Sequence, residues 1–418
     1  MYRNIIEDLM QWHEKNTRQI LYIKGALGVG KTWTVQDFAT AFYPCMCYID
    51  ASEGLPLDNT ELDKLLISRF SDEELAGGLI VFDEVQSIPH VAEFFYEYAK
   101  THRKYSLCLI ASTMDITEFE YTHSDAFKLI RMRPMSFEEY MIASKAHPFI
   151  SAIRKNSDNP LTAPEEKAIK SMLKEYLMTG GMPGVISAFL KRKDYSVIRP
   201  LQDQMIADYE ALLKKTFPDA MFQRSRRVFR SIPKQLSKDN KKFMYKVAEA
   251  NARSREYAEA TQNLCDLGLA RKLPRLAGGT LPLEEHVDYK SFELFLVDHG
   301  LLRAMYNLPV DESLTLEDIL SEKEGAVAEQ YLFEELSESI GIMYYWVSGA
   351  TARVPFVYEG KSSAVPVDVR FVKNTKAQNV KVFLEKNPDA KLSMRITLDQ
   401  PAMDGDCMSV PAYGLWNL

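Results

Sequence analysis

Apolar residues along this chain follow two rhythms. In the first third, short apolar runs alternate with stretches whose apolar positions recur every three or four residues. The runs are Ile20–Ile23, Cys45–Ile49, Leu79–Phe82, Leu107–Ala111 and Phe127–Met132, and the helical patterns lie at 32–39, Leu62–Phe70 and Val91–Tyr98. Continuous apolar strands separated by helices predict a parallel sheet covered on both faces, over residues 1 to about 150. Ahead of it, Ile5, Ile6, Leu9 and Met10 mark an amphipathic helix broken by Glu7 and Asp8. In such a sheet, ligand groups gather at the carboxyl ends of the strands.

Beyond residue 150 the pattern becomes helical. Asn156–Pro160 and Thr162-Ala163-Pro164 read as loop, and helices are expected over Glu165–Thr179, Val185–Leu190 and Leu201–Thr216. Gly180-Gly181-Met182-Pro183-Gly184 separates the first two, which suggests a helical lid over 151–215. Ser254–Leu267 spaces Tyr257, Thr261, Leu264 and Leu267 along one face, with Gly268 placed to cap it. Leu269–Leu273 and Leu281–Leu283 predict a short hairpin. Helices followed by a hairpin make a winged-helix layout over 216–310, and 311–418 is left as a further α/β domain. A chain of 418 residues is long enough for several such domains.

The chemistry begins where the first strand ends. Gly25-Ala26-Leu27-Gly28-Val29-Gly30-Lys31-Thr32 fits G-x-x-x-x-G-K-[ST] between a strand and a helix. Glycines let the backbone aim N–H groups into one anion-binding nest, and the following helix adds its positive dipole end. Lys31 is placed to meet the β- and γ-phosphates and Thr32 to ligate Mg²⁺. Gly25, Ala26, Gly28, Val29, Gly30 and Trp33 complete the expected cradle. Leu79–Glu84 is an apolar strand ending in two acids, the Walker B pattern: Asp83 for Mg²⁺, Glu84 for the attacking water. At the next strand end, Ser112 or Thr113 reads either as a sensor of the γ-phosphate or as a helix cap. Arg131 and Arg133 either contact phosphate or pair with surface acids.

Charge and cysteine usage bound the remainder. The net charge is −7, yet 222–255 concentrates Arg224, Arg226, Arg227, Arg230, Lys234, Lys238, Lys241, Lys242, Lys246, Arg253 and Arg255 against Asp239 and Glu249. That stretch reads either as phosphate contacts to DNA or as a face for a protein partner. Cys45, Cys47, Cys108, Cys265 and Cys407 are odd in number and lack C-x-x-C spacing, so neither a disulfide framework nor a zinc site is expected. Cys45 and Cys47 should share one strand face as small buried groups. The histidines lack metal-site spacing. No apolar run is long enough to span a membrane and no secretory signal is present, so a cytoplasmic location is expected.

In order along the chain stand Lys24-Gly25-Ala26, Val29-Gly30-Lys31-Thr32-Trp33, Phe82-Asp83-Glu84-Val85-Gln86, Arg133-Pro134-Met135-Ser136-Phe137-Glu138-Glu139-Tyr140, Gly180-Gly181-Met182-Pro183, Ser231–Leu236, Leu296–Leu302 and Gly325–Glu329. By this series the chain resembles the bacterial and archaeal AAA-type ATPases related to STAND NTPases. The resemblance implies ATP binding and hydrolysis, and no agreed cellular role. Members usually carry Arg-Gln where this chain has Leu27-Gly28, so one cation beside the phosphates is missing. It also implies a restriction-nuclease-like C-terminal domain, in which Pro355 stands where an aspartate would be, and Asp368 and Arg370 where Glu-x-Lys would be. Arg370 cannot act as a lysine does. Glu329 remains as one carboxylate, and an Asp368–Arg370 salt bridge is the simpler expectation. Two functions stay open: ATP hydrolysis driving a conformational switch, or a slow-hydrolysing, ATP-gated module that binds DNA or protein. AAA-type relatives often form rings and STAND-type ones rest as monomers, so the resemblance leaves both states open.

Overall fold

In the computed structural model, β1 (Ile20–Gly25) is buried along its whole length, as its continuous apolar run demands. The structure describes residues 1–15, 19–349, 352–371 and 378–418. They divide into two units: 1–134 with 265–269, and 135–264 with 270–418.

In the first unit β1 belongs to a five-stranded parallel sheet with β2 (Met46–Asp50), β3 (Leu79–Asp83), β4 (Ser106–Ala111) and β5 (Phe127–Met132), in the order β2-β3-β4-β1-β5. The chain leaves β1, crosses to the far edge and returns, so β1 ends up between two late strands. That reversal is the switch point at which α/β sheets bind ligands. Helices α1 (Ile6–Glu14), α2 (Lys31–Phe42), α3 (Asn59–Arg69), α4 (Asp72–Gly77), α5 (Val91–Thr101) and α6 (Glu118–Thr122) complete the unit. Val35, Phe38 and Ala39 of α2 are buried at helical spacing, and Phe95 of α5 packs its ring 4.7 Å from Phe82. Lys24 is buried yet paired: its Nζ lies 2.5 Å from Glu120 and donates to the Asp115 carbonyl at 2.8 Å. Residues 265–269 pack on the end of β4. The Asp266 carbonyl accepts from the Met114 N–H at 2.6 Å and from Thr113 Oγ1 at 2.7 Å. Cys47 is buried, but Cys45 precedes β2 and is only half-buried, so the two thiols are not equivalent.

The second unit starts with helices α7 (Phe137–Ala143), α8 (His147–Arg154), α9 (Ala163–Thr179), α10 (Pro183–Arg192), α11 (Ile198–Thr216), α12 (Asp219–Leu236), α13 (Tyr245–Ala248) and α14 (Ser254–Asp266), the last two residues of α14 counting with the first unit. Thr162, expected in a loop, caps α9 in a reciprocal box with Glu165, and Pro164 fits the first turn, where its missing N–H costs nothing. A mixed sheet follows: β6 (Ala270–Leu276), β7 (Val287–Leu296), β8 (Met343–Ser348), β9 (Ala352–Glu359), β10 (Ala364–Val369), β11 (Ser393–Thr397), β12 (Ala402–Asp404) and β13 (Cys407–Pro411). Its order is β12-β13-β11-β10-β9-β8-β6-β7. Helices α15 (His299–Met305), α16 (Leu316–Ser339) and α17 (Gln378–Lys386) connect these strands. One sheet thus takes strands from both 216–310 and 311–418.

The expected hairpin has a different second strand. β6 pairs with β7, whereas Leu283–His286 is a turn of 3₁₀-helix with Leu283 buried. Pro282 has no N–H to give a ladder, and the ten-residue run of β7 matches the length of β6 far better. In this unit Gly180 meets Gly300. A Cβ on Gly300 would lie 2.6 Å from the Gly180 Cα, so the backbones touch only because both are glycine. Among the described residues no helix is long and apolar enough to cross a membrane.

Candidate nucleotide site

The loop after β1 needs its glycines for distinct reasons. A Cβ on Gly25 would collide with the Met132 carbonyl. Gly28 and Gly30 adopt φ of 84° and 93°, left-handed values that other residues avoid. Ala26 and Val29 are buried, and Gly30 opens α2. Lys31 follows at once, nearly buried. Its Nζ donates to the Gly25 and Ala26 carbonyls at 3.0 Å each and to Ser112 Oγ at 3.1 Å. Burial lowers the ammonium pKa to about 8, although Glu84 and Asp83 pull it upward.

The end of β3 supplies the facing acids. Asp83 Oδ2 accepts from Thr32 Oγ1 at 2.6 Å and from the Tyr48 hydroxyl at 3.2 Å, and Oδ1 accepts from the Glu84 N–H at 2.8 Å. Burial raises the Asp83 carboxyl pKa in spite of these bonds. Glu84 turns out of the strand in a left-handed conformation, φ 59°. Its carboxylate accepts from Gln86 Nε2 at 2.6 Å and from Ser112 Oγ at 2.9 Å. Gln86 Oε1 in turn accepts from the Ser112 N–H at 2.9 Å. The carboxyl ends of β1, β3 and β4 therefore bring Lys31, Thr32, Asp83, Glu84 and Ser112 into one hydrogen-bonded set. Trp33 lies on α2, 47 % exposed.

Of the two hydroxyls at the end of β4, Ser112 joins this set and Thr113 turns to the Asp266 carbonyl. Arg131 is exposed on β5, and the Arg133 carbonyl receives a bond from Arg3 at 2.5 Å. Three participants were not singled out from the sequence: Tyr48, Gln86 and Arg3. Gln86 stands inside the Phe82–Gln86 motif, which was its only signal. Nothing local marks Tyr48 or Arg3.

The other candidate chemistry is used up in ion pairs. Glu329, expected as a spare carboxylate, is bound by Arg353 at 2.8 and 3.0 Å and by Lys241 at 2.9 Å, and Arg353 also grips buried Glu293 at 2.7 and 2.9 Å. Two side-chain cations stand beside this carboxylate. Asp368 pairs with Arg370 at 2.6 Å. Lys241 is thereby buried and lost to any basic surface. Arg226 bonds Glu210 at 2.9 Å, Arg230 shares that same glutamate, and Arg227 bonds Glu249 at 3.0 Å. Lys234, Lys238, Lys246, Arg253 and Arg255 remain exposed. Among the described residues one group has ligand atoms close enough to hold a metal, Asp298, His299 and Glu334. Its donors are internally engaged: His299 meets Glu334 at 2.7 Å and the Tyr176 carbonyl at 3.1 Å, and Asp298 accepts from the Gly181 and Leu301 N–H groups.

Strand order, glycine-built loop and facing acids define a P-loop nucleotide-binding domain. Residues 17–141 match the family model described as an AAA domain, so this part of the chain is an AAA-type P-loop ATPase domain. Residues 170–312 match a model described as Domain of unknown function (DUF8612). No curated protein sequence matches the chain. Among solved structures it is similar to AMPPCP-bound DnaA from Aquifex aeolicus, at 12% identity over 63% of this chain and 78% of that one, TM-score 0.31. Replication initiator DnaA bound to AMPPCP and single-stranded DNA gives 14% identity over 63% and 87%, TM-score 0.31. The Pif1 helicase from Candida albicans gives 12% over 41% and 47%, TM-score 0.22.

Proposed function

We propose that this protein binds ATP with Mg²⁺ at the loop 25–32 and hydrolyses it, and that the change of nucleotide state drives a conformational switch. The observation that carries this reading is the continuous bond path from Lys31 through Ser112 to Glu84, beside the Thr32–Asp83 pair. Backbone N–H groups of 28–32 and Lys31 would take the phosphates. The Thr32 hydroxyl and the Asp83 carboxylate are hard oxygen donors 2.6 Å apart, the ligand type Mg²⁺ takes. When bound, that ion supplies neutralisation of charge on the β- and γ-phosphates. Glu84 orients water toward the γ-phosphate, held by Ser112 and Gln86 on its two oxygens. Ser112, touching both Lys31 and Glu84, is placed to register the phosphate.

The test is phosphate release together with nucleotide binding, read by the emission of half-exposed Trp33. Lys31→Ala should abolish binding. Glu84→Gln should bind ATP and turn it over at least about tenfold more slowly. Equal turnover by Glu84→Gln and wild type would reject the role given to Glu84.

A second reading keeps the nucleotide as a slow gate and makes contact with a polyanion or a protein the output. The exposed cations Lys234, Lys238, Lys246, Arg253 and Arg255 favour it, since such a surface attracts phosphate without reading sequence. Turnover measured with and without duplex DNA separates the two.

A further inference from the structure

Arg3 is far from the P-loop in sequence and only 4 % exposed. Its Nη1 donates to the Val29 carbonyl at 2.5 Å and its Nη2 to the Arg133 carbonyl, just beyond β5, at 2.5 Å. Taking a guanidinium out of water is costly, and here its two Nη groups are directed at backbone carbonyls, one of them in the middle of the phosphate loop.

Val29 stands between the two left-handed glycines, Gly28 and Gly30. A peptide unit is planar and trans, so its C=O and its N–H point to opposite sides. The Val29 C=O and the Gly30 N–H are the two ends of one such unit. Pinning the carbonyl on the Arg3 side fixes the Gly30 N–H on the other. Glycine-flanked peptides rotate with little steric cost, and in the flipped orientation a carbonyl oxygen would face the phosphates and repel them.

We propose that Arg3 is a positioning residue for the phosphate cradle, holding the Val29–Gly30 peptide so that the Gly30 N–H is offered to the phosphates of a nucleoside triphosphate. This rests on the reading of 25–32 as a nucleotide site. The planar fork of arginine serves two carbonyls in fixed directions, which a lysine ammonium does not reproduce. Arg3 also puts a charge behind a loop in which Leu27 and Gly28 supply none. The Gly30 N–H would contact phosphate in the ground state and in the transition state alike. Its loss therefore weakens binding more than it slows chemistry.

The experiment uses the full chain with Mg·ATP, comparing wild type, Arg3→Lys and Arg3→Ala by Trp33 emission, steady-state turnover and thermal melting. Both variants should show Kd and KM for ATP about tenfold higher, with kcat within about twofold. Guanidinium chloride at tens of millimolar should restore the affinity of Arg3→Ala, while sodium chloride at equal ionic strength should not. Should Arg3→Ala fail to fold, Arg3→Lys carries the test. Nucleotide affinity within twofold of wild type in folded Arg3→Lys, whatever its melting temperature, overturns the proposal. Absence of binding by wild type itself would instead remove the nucleotide reading, and this inference with it.

Discussion

Lys31 Nζ lies 3.1 Å from Ser112 Oγ, and the same hydroxyl donates to Glu84 at 2.9 Å. One oxygen thus couples the cation proposed to meet phosphate to the carboxylate proposed to orient water. Ser112→Ala removes an acceptor from Lys31 and a donor from Glu84 without altering backbone or volume much. The nest of N–H groups stays, so ATP affinity should change less than about threefold. Glu84 loses half of its orientation, so kcat should fall about tenfold or more. Single-turnover hydrolysis beside a binding titration checks this split. A rise in Kd with unchanged kcat would mean that the hydroxyl serves binding alone.

Lys31 also ties affinity to pH. Burial lowers its pKa to about 8, and only the ammonium attracts phosphate. Above that pH the free protein must take up a proton to bind, so affinity should fall by up to tenfold per pH unit between about 8 and 9.5, and be flat near pH 7. The linked effect on folding has the opposite sign. The folded state binds fewer protons than the unfolded chain between about 8 and the ordinary lysine value, so this group's share of stability rises with pH there. ATP titrations at fixed Mg²⁺ from pH 6.5 to 9.5 test the first statement, and a flat profile refutes it.

The buried acids of the second unit give a different pH signature. Burial raises Glu335 to about 8, against a bond from the Phe137 N–H and with Glu334 and Glu338 adding to it. Glu334 is raised to about 7 by burial against the pull of His299. His299 is held down by burial but lifted more by Glu334 and Asp298, to about 9. In all three the folded state holds its proton to higher pH than the unfolded chain. Their stability is present at low pH and is lost as pH rises, from about 4.5 to 8 for Glu335 and from about 6.5 to 9 for His299. Each group's share of stability falls with rising pH within its window. Melting temperature should fall from pH 6 to 9, and Glu335→Gln, which keeps an acceptor for Phe137, should flatten that fall. Identical pH profiles for the variant and wild type would show that Glu335 does not bind the extra proton.

What was legible in the sequence was what local backbone and periodicity dictate. The loop 25–32 reads directly because left-handed glycines, a lysine and a helix start must stand in that order. β5 runs from Phe127 to Met132 as expected, although at the edge of the sheet it buries only Phe127, Ile130 and Met132 and leaves Arg131 exposed. The partner of β6 was misplaced because Leu281–Leu283 is apolar for packing reasons, and apolarity alone does not separate a 3₁₀ turn from a short strand. The ion network around Arg353 was not readable. Its partners Glu293 and Glu329 lie 60 and 24 residues away, and nothing local says that charges so separated will be buried together. Arg3, 26 residues from Val29, is a case of the same kind.

The network around Arg353 forecasts the nuclease question. Glu329 already faces the guanidinium of Arg353 and the ammonium of Lys241, and Asp368 faces Arg370. A divalent cation at either carboxylate would have to displace these pairs and would meet their charge. Plasmid DNA incubated with Mg²⁺ should therefore remain uncut above background. Glu329→Gln should lower stability by about 3 kcal/mol or more, since the two largely buried cations, Lys241 and Arg353, are then left with the single carboxylate of Glu293. Cleavage that disappears in Asp368→Ala would reverse this reading.

Glu210 holds the remaining lever. It accepts from both Arg226 and Arg230, so the central arginines of the basic segment are neutralised from within. If the face from 222 to 255 contacts a polyanion, Glu210→Gln frees two guanidinium groups for phosphate. Affinity for duplex DNA at low salt should rise about threefold to tenfold, and the slope of log affinity against log salt should steepen by one to two released ions. Charge reversal at Arg226 and Arg230 should act in the opposite direction. Should neither change move DNA binding while both alter stability, Glu210 is a structural clamp between α11 and α12. The output of the nucleotide cycle would then be sought in a protein partner.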